Sequence, residues 1–257
     1  VQSTAALVLA ARGEIAYKTF LFANVGDDSE HPATLRYVRE VAMPYAEAQG
    51  IELREVSKVL RDGTPETIYG RLTKQGGASV PIPAYFSGGV PGSRACTSDF
   101  KIRVVRKELR RLGASEALPA VVGLGISVDE LQRARSHSGF PDQTLDYPLI
   151  TLRLTRRDCA AIITKAGLPL PPKSACYFCP YTSPRRWQEM AEDEPAIFAQ
   201  AVDLERRINA KRAAAGKDGV FLHRALVPLD QATSPHRQLP MFADEAEDAC
   251  ESGYCFT

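Results

Sequence analysis

Apolar residues in the first half of the chain fall into short blocks separated by polar turns, and the blocks alternate in character. Ala5 to Ala11 is a run of small apolar residues with helical spacing, opened by Ser3 or Thr4 as a cap. Tyr17 to Ala23 (YKTFLFA) is short and aromatic and predicts a strand. The polar loop NVGDDSEHP follows, and Pro32 opens a helix through about Glu47. Ile51 to Val56 predicts the next strand. Residues 70–98 are rich in Gly, Ser and Pro and read as a long loop with one short strand at Ile82 to Phe86; a loop of that length is usually functional. A basic helix over Asp99 to Leu112 and a strand at Ala120 to Gly123 continue a βαβ rhythm. That rhythm argues for an α/β fold, a parallel sheet with helices on both faces.

After Leu149 the pattern changes. A helix begins near Thr155 and stops at Gly167. The proline-rich turn LPLPPKSACYFCPYTSP leads into two helices, about Pro184–Ala191 and Glu194–Ala214, and the tail from Ala243 is acidic. The expected organisation is an α/β domain over residues 1–167 and a smaller helical, cysteine-bearing region over 168–257. The chain opens on VQSTAALVLAARGE, a turn running straight into a helix, so a preceding segment is expected to lie outside this numbering.

Composition narrows the class. Hydrophobic residues make up 44% and charged residues 25%, as in an ordinary globular protein. The net charge of +1 gives no global attraction to polyanions, so any nucleic-acid role must come from local clustering. No apolar run approaches the roughly 20 residues that span a bilayer, and no signal peptide is visible; no membrane association and a cytoplasmic location are expected. Six cysteines then need a reason other than disulfides, which a reducing compartment disfavours.

The strongest local signal is Cys176-Tyr177-Phe178-Cys179. Two thiols three positions apart on a turn can face one metal centre. The spacing suits zinc, an iron–sulfur cluster or a redox dithiol. The other cysteines, Cys96, Cys159, Cys250 and Cys255, are scattered, so any further ligand arrives by folding. Asn24, Gly26 and Asp27 sit at the carboxyl end of a strand, where open α/β sheets bind ligands; turn chemistry accounts for the same residue types. Lys101, Arg103, Arg106, Lys107, Arg110 and Arg111 form a basic run, either a solvated helix face or an anion surface. His223 is read as structural.

Taken in order, these segments resemble the PAPS reductase-like branch of the PP-loop adenine nucleotide alpha hydrolase superfamily. RACTSDFKIRVVRKELR resembles the place where one or two cysteines precede a basic helix. GLGISVDELQRAR resembles the family's Gly-rich strand end with an arginine further on. YPLITLRLTRRDCAAII resembles the segment leading to the cysteine hairpin, and KSACYFCPY resembles that hairpin. VQSTA is similar to the back end of a PP-loop, with Ser3 as its serine, and FANVGDDSEHP to the following acidic turn, with Asn24 in place of the aspartate.

The resemblance implies an enzyme: an ATP pyrophosphatase that adenylates an acceptor for sulfur transfer. The alternative is a sulfonucleotide reductase acting on PAPS or APS, and a further alternative is a zinc-containing nucleic-acid or protein-binding module. It implies ATP or a related adenine nucleotide with Mg²⁺, held by Ser3, Thr4, Asn24, Gly26, Asp27, Gly123 and Arg133. It implies a 4Fe-4S cluster, with zinc as the alternative metal, on Cys96, Cys176 and Cys179. The second cysteine of the family's pair is Thr97 here; Cys159 is the first choice for a fourth ligand, with a buried helix residue as its other reading, and an open fourth iron position is the alternative. Cys250 and Cys255 would act as tail nucleophiles, with Lys101 beside Cys96 assisting. Implied partners are a sulfur acceptor (nucleic acid or small molecule) and a sulfur or electron donor protein, and an oligomer of identical chains is expected.

Overall fold

The computed structural model describes residues 1–233. The small apolar run forms α1 (Gln2–Ala11), whose residues Ala5 to Leu9 are all buried. A helix apolar on every side belongs in the middle of a core, and α1 is packed on both flanks. On one flank Ala5, Ala6 and Leu9 meet Leu149, Cys159 and Ile163; on the other Leu7 meets Tyr37, Ala42, Ala46 and Ile51. Ser3 and Thr4 lie inside the first turn of α1 and do not cap it.

Strand β1 (Thr19–Asn24) pairs in parallel with β2 (Glu52–Ser57), Thr19 opposite Glu52 through Asn24 opposite Ser57. The connection is a helical stretch over 32–48. It consists of α2 (Pro32–Tyr37), a π turn (Val38–Ala42) and α3 (Met43–Ala48). Pro44 explains the π turn: its ring would clash with the carbonyl four residues back in a regular α-helix, and the wider turn relieves this. Strand alternation puts helices on both faces of the pair. Leu53 packs towards the α1–α3 cluster. Arg54 points the other way, its Nη1 donating to Glu108 at 2.7 Å on α6 (Arg103–Arg111).

Between them runs α4 (Ile68–Thr73), capped by Thr67, whose hydroxyl accepts from the Gly70 N–H at 2.9 Å. Strand β3 (Tyr85–Phe86) and the short α5 (Ala95–Thr97) follow. A second π turn (Ser98–Ile102) joins α5 to α6. A second parallel pair joins β4 (Ala120–Gly123) to β5 (Gln143–Asp146) through a 3-10 turn over Val128–Arg133. Helices α7 (Pro148–Thr151) and α8 (Arg156–Lys165) come next, α8 opened by a reciprocal capping box between Thr155 and Asp158. The cysteine hairpin leads to α9 (Pro184–Asp193) and the 20-residue α10 (Pro195–Ala214). Strand β6 (Val220–Phe221), antiparallel to β3, and α11 (Leu229–Ala232) complete the described chain.

The chain is therefore mixed α/β with small parallel pairs, as the alternation of blocks predicts. The largest core cluster ignores the expected division at residue 167. It joins Val25, Ile68, Leu72 and Phe100 from the first segment to Phe178, Trp187, Leu204 and Leu222 from the second.

Candidate functional site

The cysteine hairpin is sewn to the segment just beyond the carboxyl end of β1. The His31 N–H donates to the Ala175 carbonyl at 3.0 Å, the Tyr177 N–H donates to the Ser29 carbonyl at 3.2 Å, and Glu30 bridges Cys176. The turn closes through the Cys179 N–H on the Cys176 carbonyl at 3.0 Å. Tyr177 and Phe178 point into the core, both buried, which leaves the flanking thiols half-buried. The x-x of this C-x-x-C is thus the anchor that fixes where the sulfurs stand.

Cys176 and Cys179 line a cleft of about 320 Å³ together with His31, Lys173, Arg186 and Glu194. His31 caps α2, its Nδ1 accepting from the Ala33 N–H at 3.2 Å. That acceptor role places the ring proton on Nε2, which lies 2.9 Å from Glu194 Oε2 but off the axis of a hydrogen bond. Burial is the main cause that lowers the His31 pKa, opposed by Glu194 and assisted by Arg186. Ser183 caps α9, accepting from the Arg186 N–H at 3.2 Å, so the same turn that ends the hairpin aims Arg186 into the cleft.

Behind the hairpin Glu30 is 1% exposed. Its Oε1 accepts from Ser174 Oγ at 3.1 Å, while Oε2 is buried without a hydrogen-bond partner. Burial raises its pKa, with the Lys101 charge opposing. Lys101 is thus near enough for its charge to act on Glu30.

Cys96 packs against the same core cluster as Cys176. Its N–H donates to the Pro81 carbonyl at 2.7 Å. Arg94 lies 5.5 Å from the Tyr181 ring centre, which ties the segment before Cys96 to the segment after Cys179. Cys159 is placed elsewhere, which corrects the expected fourth ligand. It is fully buried in the cluster between α1 and α8, and burial pushes its thiol up to about 11. A helix-interior position facing another helix made it a packing residue. Among the described residues no three His, Cys, Asp or Glu side chains converge as a ligand group for a single metal ion. Cys250 and Cys255 lie outside the described residues.

The expected nucleotide residues are partly gathered. The first turn of α1 abuts the loop after β4: a side chain at Gly125 would begin 3.2 Å from both Ser3 N and Ser3 Oγ. Gln2 donates to Glu130 Oε2 at 2.8 Å. Gly123 is covered by Tyr17, to whose ring a Cβ there would approach within 2.6 Å, so it does not open space for a ligand. Arg133 is linked to the first turn of α1 through the Glu130 carboxylate, whose other oxygen accepts from Gln2. Its Nη1 pairs with Glu130 Oε1 at 2.7 Å, and the side chain is almost buried. Asn24 and Asp27 are likewise engaged. Asn24 donates to Asp27 and Glu55 at 2.7 Å each, and its carbonyl accepts from the Gly26 N–H. Arg39 grips Asp27 and Glu55 together, holding both carboxyls below their usual range. These three residues build the turn.

The arginines of the basic run are engaged: Arg103 pairs with Asp99, Arg106 and Arg110 with Asp142, and Arg111 with Glu108. What sequence reasoning missed are the cleft residues His31, Lys173, Arg186 and Glu194. The His31-Pro32 pair before a helical run signals a cap, but no spacing in the sequence brings it to the cysteines. Comparison with family models, curated proteins and solved structures returns no match.

Proposed function

We propose that this chain is an iron–sulfur-dependent enzyme of the PP-loop type, which activates an acceptor by adenylation for sulfur transfer. The observation that carries this reading is the seat of the hairpin: two half-buried thiols stand just beyond the carboxyl end of a parallel strand. Ligands of open α/β sheets collect at that end.

The donor set suits a cluster. Cys96, Cys176 and Cys179 supply soft sulfur ligands from two segments packed on one core, and Lys173 supplies positive charge at the cleft, where Arg186 is paired with Glu194. A cluster spaces its ligands more widely than one ion does, which suits thiols contributed by two separate segments. Bound there, a cluster would supply an iron position able to hold sulfur. The chain's own part is positioning. The first turn of α1 offers backbone N–H groups and the Ser3 hydroxyl to phosphate, and Gly125 keeps a side chain out of that turn. ATP enters with Mg²⁺ on its phosphates. An acceptor oxygen attacks the α-phosphorus, the bond to the β-phosphate oxygen breaks, and pyrophosphate leaves; incoming sulfur then displaces AMP.

The test begins with anaerobic purification and iron and sulfide analysis, followed by pyrophosphate release from ATP with tRNA, DNA and small-molecule acceptors. Iron with acid-labile sulfide, lost in Cys176→Ser, and acceptor-dependent pyrophosphate are expected. A protein that binds neither iron nor ATP under these conditions overturns the reading.

A further inference from the structure

One short helix touches both the first turn of α1 and the approach to the cysteine hairpin. His31, Thr34 and Tyr37 stand three positions apart on α2 and its cap, so they follow one side of that helix. Each holds the segment that feeds the hairpin. The His31 N–H donates to the Ala175 carbonyl at 3.0 Å, the Thr34 hydroxyl to the Lys173 carbonyl at 3.4 Å, and the Tyr37 hydroxyl to the Pro169 carbonyl at 2.8 Å.

Tyr37 also meets α1. It is buried and shares a core cluster with Leu7, and Thr4 lies one turn earlier on the same face of α1. The Thr4 hydroxyl reaches the Tyr37 oxygen, where it opposes the upward push of burial on the phenol. Tyr37 therefore stands between the first turn of α1 and the segment 169–175.

The protons of this chain follow from its chemistry. A carbonyl only accepts, so the Tyr37 proton lies towards Pro169 and Thr4 donates to the Tyr37 oxygen. Thr4 has one hydroxyl proton. A phosphate at the first turn gives that proton a second, charged acceptor, and charged acceptors form the stronger bond. Once Thr4 turns to phosphate, the Tyr37 hydroxyl accepts nothing and donates more weakly to Pro169.

We propose that Tyr37 is a positioning residue that couples the first turn of α1 to the cysteine hairpin: a phosphate that draws the Thr4 hydroxyl away loosens the hold of Tyr37 on Pro169 and exposes Cys176 and Cys179. The coupling sets an order, because the thiol side opens once nucleotide is in place. It rests on the adenylation reading for its ligand and adds a residue that touches neither the nucleotide nor the thiols.

The test uses the full-length, metal-free chain with Mg²⁺–ATP, whose binding is followed by calorimetry. Short N-ethylmaleimide pulses at fixed pH are read peptide by peptide by mass spectrometry. ATP should speed labelling of Cys176 and Cys179 about fivefold, the factor that one net hydrogen bond supports, and leave fully buried Cys159 slow. Tyr37→Phe keeps the ring in its cluster and removes the hydroxyl. Its hairpin thiols should label at the fast rate without ATP and show no response to the ATP it still binds. Thr4→Val reaches the same state from the other end of the chain of bonds and should also label fast without ATP. Emission of the single tryptophan, buried Trp187 on α9, checks that each variant is folded. ATP that binds without speeding the hairpin thiols, or a folded Tyr37→Phe that responds as the parent does, would overturn the proposal and leave the adenylation reading standing. ATP that does not bind would overturn both.

Discussion

At the scale of the residue, Gly26 shows how a position can be legible while its reason is not. The sequence marks Asn24, Gly26 and Asp27 as a ligand turn. The structure uses them to close the β1–α2 connection, with Gly26 at φ +125° and a Cβ there falling 2.5 Å from Thr67 Cβ. Thr67 is the cap of α4 and accepts from Gly70, so neither side can give way cheaply. Gly26→Ala should therefore cost about 2–4 kcal/mol, backbone strain adding to overpacking. Urea unfolding reads this directly, and a loss under about 0.5 kcal/mol would mean the loop relaxes. The partners that occupy Asp27 and Glu55 could not be read ahead, because Arg39 reaches both only once the π turn after α2 is laid against β2. Cys159 teaches the converse. Its residue type suggests a ligand, yet the helix periodicity that turns it towards Ala5 and Leu9 decides its fate.

Elements were legible where their ends carry chemistry. The Thr155–Asp158 box and the Ser183-Pro184 and His31-Pro32 pairs mark α8, α9 and α2 from sequence alone. Strands β5 and β6 gave no such signal. β6 has two residues, and it exists because β3 and α10 hold it. Glu205 of α10 is the key to that region. It is 3% exposed, and its two oxygens accept from the Leu222 and Leu229 N–H groups at 2.7 Å each. Burial raises its pKa, and the two backbone bonds oppose this only in part. The folded chain thus holds this proton more tightly than the unfolded chain. The associated stability is complete below the unfolded carboxyl value, about 4.3, and is lost as pH rises through the folded value. Glu205→Gln, neutral at every pH, should gain on the parent as pH rises from 4 to 7. Urea midpoints of the two proteins across that range measure the gain; a difference that stays constant with pH would contradict it.

At the scale of the whole molecule, the sequence suggests two regions and the packing makes them one. The change of character after Leu149 is real, since the βαβ rhythm gives way to a hairpin and helices. Composition along a chain cannot show that Phe178 and Trp187 are buried against Val25, Ile68 and Phe100. That shared core is what holds the hairpin at the strand end, so the site and the fold have a common origin. A boundary at residue 167 would strip the second segment of its contacts with Val25, Ile68, Leu72, Ile82, Ala84 and Phe100. The intact chain should then unfold in one cooperative transition, and residues 168–257 expressed alone should stay unfolded. Two internal probes report on opposite sides of the boundary: Trp187 emission on the shared core and pulsed alkylation of fully buried Cys159 on the α1–α8 interface. Their urea midpoints should coincide. Exposure of Cys159 at a clearly lower urea concentration than the change in Trp187 would show an α/β unit that opens independently, and the hairpin would then owe its position to something other than the shared core.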